Sequence, residues 1–432
     1  MSIKERLLSG DYQPGTYLLY ETTPLGTYNI RISVKMRDMV DGKVLAAAAN
    51  RAIKRYPYFA IRLESDGGKK YVIKPNDLPI VVMRTQNPPP ALGSEAVNYH
   101  LNSIDYIGKM VYFNLNHSFA GGCGSIPWVK SVLYEYVTEK YNVSLDPTDI
   151  NLPDSVLEDD EMAFPIPDEL PDAEPFGMYK GQSGYFLGQD YMSFYKNPDH
   201  SGDGYYCLKI DQHELVKYVR ANDASPATIF SVLMFKALSR VLPEEAQVIT
   251  CGVASNYRDQ VDCPNTALDL TRALHIKYTR NMADMPVDRL CTMTRGMVML
   301  QNQPENAIIE FKNLVKYHEK IDSFGTIKEK REFCQKAGRW VEGARDTYNV
   351  SYVGNTDFGS LGEYVKAIYS HTNGHLLLEV NSMNNMFFIS FHQYINKIEY
   401  LNAFLDVMEE EGIRYTISGL FPRNLPALVL PE

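Results

Sequence analysis

The sequence predicts a mixed α/β (α+β) protein made of two halves, each a sheet with helices on its outer side. Three observations carry that expectation. The chain has 432 residues, more than one ordinary core accommodates. Strand-like and helix-like patterns alternate throughout, rather than being segregated to one end. From Asn151 to about Glu174 prolines (Pro153, Pro165, Pro167, Pro171 and the adjoining Pro175) alternate with acidic residues, the composition of an extended crossover. The boundary is placed there, giving halves at 1–175 and 176–432.

In the first half, Tyr28 to Val34 has apolar residues at every second position and reads as a half-buried strand. Asp41 can cap a helix whose Val44, Leu45, Ala48, Ala49, Ala52 and Ile53 share one face, and Pro57 ends it. Tyr58 to Leu63 and Lys70 to Ile73 flank the turn Asp66-Gly67-Gly68 and read as a hairpin. Val111 to Asn116 is a buried strand that stops at His117 and a small-residue turn. Ser125 as cap and Pro127 in the first turn then predict a helix. The acid run Glu158-Asp159-Asp160-Glu161 reads as a solvated face.

The second half repeats the alternation. Gly204 to Ile210 is a strand, Asp211 opens a helix, and Ser225-Pro226 opens another through Val241. Gln247 to Ala254 is a strand. Ile308–Lys320 and Ile327–Asp346 are helices. Tyr352-Val353, Leu376–Val380 and Met386–Phe391 are extended, and a last helix from Ile398 to Met408 is closed by Gly412.

Composition narrows the function. A net charge of −10 disfavours a nucleic-acid backbone or an anionic membrane as partner. No apolar run approaches a membrane span, and the start MSIKERLLSGDY has no signal-peptide core, so a cytoplasmic protein is expected. The six cysteines form no CxxC, so neither a zinc knuckle nor a redox pair is suggested. His371 and His375 have i,i+4 spacing, but Thr-Asn-Gly between them is a turn, so no metal site is assigned. Cys123 lacks the surroundings of a nucleophile elbow and reads as a small buried cysteine.

His117 is the chemically informative residue. An imidazole at the mouth of a strand, beside the positive end of a helix, can act as a general base. Its context is familiar. The segments AAAANRAIKRYPYFAIRL (Ala46 to Leu63), LNHSFAGG (Leu115 to Gly122), SPATIFSVLMFKALSRVL (Ser225 to Leu242), GVASNYRD (Gly252 to Asp259) and SYVGN (Ser351 to Asn355) occur in an order that resembles the chloramphenicol-acetyltransferase-like superfamily. That group includes condensation domains and alcohol acyltransferases.

The resemblance implies two similar lobes with a tunnel between them. It implies transfer of an acyl group from acyl-CoA or an acyl-carrier thioester to a small-molecule hydroxyl or amine acceptor, with no permanent cofactor. LNHSFAGG is similar to the family's HHxxxDG motif, in degenerate form. The catalytic histidine is His117, the first histidine is Asn116, and the aspartate falls on Gly121, before Gly122. In relatives that aspartate pairs with an arginine, for which Arg258 is the match. Asp259 is the acid that could compensate. Ser351 and Asn355, or the start of the following helix, are the oxyanion or substrate candidates. A condensation-type synthase acting on carrier-bound substrates is the alternative. A degenerate protein that binds without chemistry is a further one. A self-contained monomer is expected, because both halves lie in one chain.

Overall fold

A computed structural model describes residues 13–23, 26–166, 168–174, 184–187, 204–340, 346–372, 376–393 and 397–432. In chain order the elements begin with a short helix α1 (Tyr17–Glu21), strand β1 (Asn29–Met36) and helix α2 (Gly42–Ala52). Strands β2 (Ile61–Ser65), β3 (Tyr71–Pro75), β4 (Val82–Arg84), β5 (Asn102–Ile107) and β6 (Met110–Asn116) follow, then helix α3 (Gly122–Tyr141). The second series is β7 (Gly204–Asp211), α4 (Gln212–Ala221), α5 (Pro226–Val241), β8 (Val248–Asn256) and β9 (Thr271–Thr279). Helices α6 (Val287–Gln301), α7 (Pro304–Asp322) and α8 (Ile327–Trp340) come next. The chain closes with β10 (Tyr348–Asn355), β11 (Val365–His371), β12 (Leu376–Met383), β13 (Met386–Gln393), α9 (Ile398–Glu410) and β14 (Thr416–Pro422).

Two larger sheets organise these elements. A five-stranded sheet has the order β11-β1-β6-β5-β4, and a seven-stranded sheet the order β14-β7-β13-β12-β10-β8-β9. The first packs one face on α2 and α3 through Ile30, Ile32, Val34, Phe113 and Leu115. The second packs one face on α5 and α9 through Leu376, Leu378, Val380, Phe387, Ile389 and Phe391. Each half is therefore a mixed sheet with helices on one side. The proposed boundary between residues 175 and 176 lies outside the described residues. Strand β11 comes from late in the chain, yet pairs antiparallel with β1 in the first sheet, Arg31 opposite His371.

The capping signals act as read. The Asp41 side chain accepts from the N–H groups of Lys43 and Val44, Asp211 from Glu214, and Ser225 from Thr228. Two expectations are corrected. Helix α3 starts at Gly122, with Gly121 as its N-cap, and not at Ser125. The Ser125 hydroxyl instead donates back to the carbonyls of Gly121 and Gly122. The acid run is not wholly solvated either. Glu161 is buried, pairs with Arg55 and accepts from the Tyr58 hydroxyl at 2.9 Å. It fastens the crossover segment to the first half.

Candidate active site

His117 follows the last residue of β6, and its N–H donates to the Tyr28 carbonyl at 2.7 Å. Just before it, the Asn116 amide donates to Asn29 Oδ1 at 2.8 Å and to the Thr27 carbonyl, while Asn116 Oδ1 accepts from the Ser118 N–H. Asn116 thus braces the turn and is not in a position of chemistry. The turn is also held from outside. A Cβ on Gly15 would lie 2.2 Å from the Ser118 carbonyl oxygen, so only glycine lets the N-terminal segment pass this close.

The His117 side chain is 28% exposed, and its Nδ1 lies 3.5 Å from Asp269 Oδ2. Nδ1 is buried and makes no hydrogen bond at that distance. Asp269 belongs to the loop before β9, in the other half of the sequence. It is steadied by the Thr271 N–H, which donates to Oδ1 at 3.0 Å. A Cβ built on Gly121 would sit 2.7 Å from the same Oδ1. An acidic group therefore occupies the place next to His117 that the degenerate motif leaves empty. Asp259, the expected substitute, is exposed and begins a 3₁₀ turn.

Arg258 is 4% exposed and needs no carboxylate. Its Nε donates to the Thr266 carbonyl at 2.9 Å, Nη1 to Asn256 Oδ1 at 2.9 Å, and Nη2 to the Leu268 carbonyl at 2.6 Å. Backbone oxygens replace the partner that a buried guanidinium requires. These bonds shape the 266–268 loop that delivers Asp269. That loop also touches α3, since a Cβ on Gly124 would fall 1.9 Å from the Ala267 carbonyl oxygen. Cys123, which sequence reading took for a buried residue, is exposed. Its thiol pKa is raised, chiefly by desolvation, with Asp269 adding and Arg258 opposing, which does not favour a nucleophile.

Ser351 stands opposite Glu379 in the parallel β10/β12 ladder. Glu379 is 3% exposed and within electrostatic reach of His117, so this part of the second sheet lies near the imidazole. Asn355 is exposed at the end of β10. Between them, Val353 lies at an irregularity in the ladder and packs 3.7 Å from the Cβ position of Gly122. The start of α3 thus faces β10 of the other half. Sequence reading missed Asp269 and gave Glu379 no part in this site. Glu379 carries the clearer signal, a lone carboxylate in the otherwise apolar run Leu376 to Val380. No group of three or more His, Cys, Asp or Glu able to hold a metal is found among the described residues.

No protein-family model matches this sequence, and no curated protein matches it significantly. Solved structures do resemble it. The first condensation domain of the CDA synthetase is 11% identical, with a TM-score of 0.56 over 97% of this chain and 98% of that one. TRI101 of F. sporotrichioides, solved with coenzyme A and T-2, is 11% identical, with a TM-score of 0.56 over 93% and 98%. The trichothecene 15-O-acetyltransferase TRI3 of Fusarium sporotrichioides is 12% identical, with a TM-score of 0.53 over 92% and 93%.

The chain has the condensation-domain, chloramphenicol-acetyltransferase-like fold.

In this condensation-domain-like fold His117 follows β6 of the five-stranded sheet and Asp269 precedes β9 of the seven-stranded sheet. No described helix is long and apolar enough to cross a membrane.

Proposed function

We propose that this chain is an acyltransferase that moves an acyl group from a thioester, acyl-CoA or an acylated carrier protein, to a hydroxyl or amine acceptor, with His117 as general base. The observation that carries the reading is the pairing of a solvent-accessible imidazole with a carboxylate at its Nδ1 side, 3.5 Å away. A carboxylate there favours the tautomer protonated on Nδ1 and leaves the Nε2 lone pair for the acceptor. The contact is longer than a hydrogen bond, as is common before substrate binds.

The chemistry balances without a covalent enzyme intermediate. The acceptor oxygen attacks the thioester carbonyl as Nε2 removes its proton. The tetrahedral oxyanion collapses, the carbon–sulfur bond breaks, and the departing thiolate takes the proton back from the imidazolium. The oxyanion would be held by Ser351 or Asn355, or by the free N–H groups at the start of α3. The acceptor is a small molecule, and a carrier protein is the partner if the donor is carrier-bound. Asp269 beside His117 supports catalysis over the degenerate, binding-only reading.

The experiment is thiol release from acetyl-CoA with a panel of alcohols and amines. Wild-type turnover that His117→Ala abolishes, with an unchanged melting temperature, is the expected result. A His117→Ala chain as active as wild type refutes the base.

A further inference from the structure

The two sheets meet through faces that are buried but polar. On the five-stranded sheet these are Asn29, Arg31 and Ser33 of β1, Asn114 and Asn116 of β6, and His371 of β11. On the seven-stranded sheet they are Glu379 and Asn381 of β12, with Ser390 and His392 of β13. The Tyr205 ring from β7 lies 4.0 Å from that of His371, centroid to centroid, so the sheets are in contact here.

Several atoms of this layer have no hydrogen-bond partner among the described residues. They are Glu379 Oε2, Asn381 Nδ2, Ser390 Oγ, His371 Nδ1 and His392 Nδ1, all buried. Unpaired buried polar atoms are costly and rarely retained without reason. Their placement is not scattered. Glu379 and Ser390 are direct partners in the β12/β13 ladder, with His392 one step along the same face. The His371 and His392 rings are 5.2 Å apart.

The chemistry of the unpaired atoms selects a ligand. His392 Nε2 lies 3.2 Å from the Ser370 carbonyl, which can only accept, so Nε2 carries the proton and Nδ1 is an acceptor. Burial lowers the His392 pKa to about 3, so the ring is neutral. Glu379 Oε1 already accepts from the Thr372 hydroxyl at 2.6 Å, leaving Oε2 to accept from a hydroxyl when the carboxyl is ionised and to donate to one when it is protonated. Asn381 Nδ2 offers a donor. Arg423 acts electrostatically on Glu379, His371 and His392, which disfavours a cation.

We propose that this layer is the acceptor subsite and that it takes a neutral polyhydroxylated molecule, whose hydroxyls share a hydrogen bond with Glu379 Oε2 in either of its protonation states, donate to His392 Nδ1 and accept from Asn381 Nδ2. The inference rests on the acyltransferase reading only for the word acceptor. The binding site is testable without turnover.

The test is ligand binding by saturation-transfer NMR on the full His117→Ala chain, which removes the proposed base. The probes are erythritol and myo-inositol, set against 1-hexanol and 2-aminoethanol. The polyols are expected to bind in preference to both. Glu379→Gln in the same background should weaken polyol binding by about tenfold to a hundredfold. Ser390→Val, which fills the layer, should abolish it. Either variant is counted only if its melting profile is cooperative, and each serves if the other fails to fold. No polyol binding, tighter binding of hexanol or aminoethanol, or unchanged affinity in a folded variant overturns the subsite. Polyol binding in a wild-type chain that releases no thiol would sink the base and keep the subsite. Turnover of simple alcohols with no polyol binding would do the reverse.

Discussion

Asp269 fills the space that a side chain on Gly121 would need. A Cβ at position 121 would be 2.7 Å from Asp269 Oδ1 and 3.2 Å from its Cγ. The backbone at Gly121 has φ −86° and ψ −178°, which any residue adopts, so the glycine is required by space and not by conformation. Only one acidic side chain fits beside the start of α3, and in this chain the second half supplies it.

A double-mutant cycle tests that exchange. Gly121→Asp alone should destabilise by about 1–3 kcal/mol, through overpacking and repulsion between two carboxylates. Asp269→Gly alone should reduce turnover. The double variant should recover stability, with a coupling of about 1–3 kcal/mol, and part of the activity. Chemical denaturation and thiol-release assays read both quantities. Simple additivity would mean that the two positions do not compete for one space.

Asp269→Asn isolates charge from shape. The amide oxygen can still accept from the Thr271 N–H, so the loop should keep its form. On the proposed mechanism the carboxylate that stabilises the imidazolium is lost. The expected effect is a fall in kcat of about a hundredfold or more, with KM little changed. A variant with wild-type kcat across the pH profile would remove Asp269 from the proton-transfer machinery.

Gly124→Ala separates helix propensity from packing. Within an exposed helix the change gains up to about 1 kcal/mol. Here the new methyl would lie 1.9 Å from the Ala267 carbonyl oxygen, a backbone atom that cannot turn aside. The loop carrying Asp269 would have to move. A net loss of about 1–3 kcal/mol and lower turnover are expected in thermal melts and activity assays. A more stable and equally active variant would show that the halves are not in contact at this point.

Local signals were legible and long-range ones were not. Asp41, Asp211 and Ser225 announced helix starts because a cap is settled within four residues. The place of His117 at the end of a buried strand was legible in its surrounding segment. Ser125 misled because its hydroxyl bonds backward to Gly121 and Gly122 carbonyls inside the helix, which no spacing rule separates from capping. Glu161 was read with its charged neighbours, but its environment is set by Arg55 and Tyr58, distant in sequence. Asp269 and the pairing of β11 with β1 are of the same kind. They depend on how the halves come together, and local pattern carries no record of that.

The inter-sheet layer makes stability depend on pH in a particular direction. Burial raises the Glu379 pKa from 4.5 to about 7, against the opposing effects of the Thr372 hydroxyl, His117 and Arg423. The folded state therefore prefers the protonated carboxyl. Its contribution is fully present below pH 4.5 and is lost as pH rises through about 7. A shift of this size is worth about 3 kcal/mol at most. His392 acts in the opposite sense. Its pKa is lowered from 6.5 to about 3, so its contribution is present above pH 6.5 and is lost as pH falls towards 3. Glu379→Gln removes the first effect and leaves the second. Urea unfolding of wild type and variant should therefore diverge between pH 5 and 8, the variant gaining about 2–3 kcal/mol relative to wild type across that window. The glutamine oxygen can still accept from Thr372, which keeps the comparison close to a removal of charge. Parallel stability curves would place Glu379 in contact with water and remove the buried carboxylate from the layer.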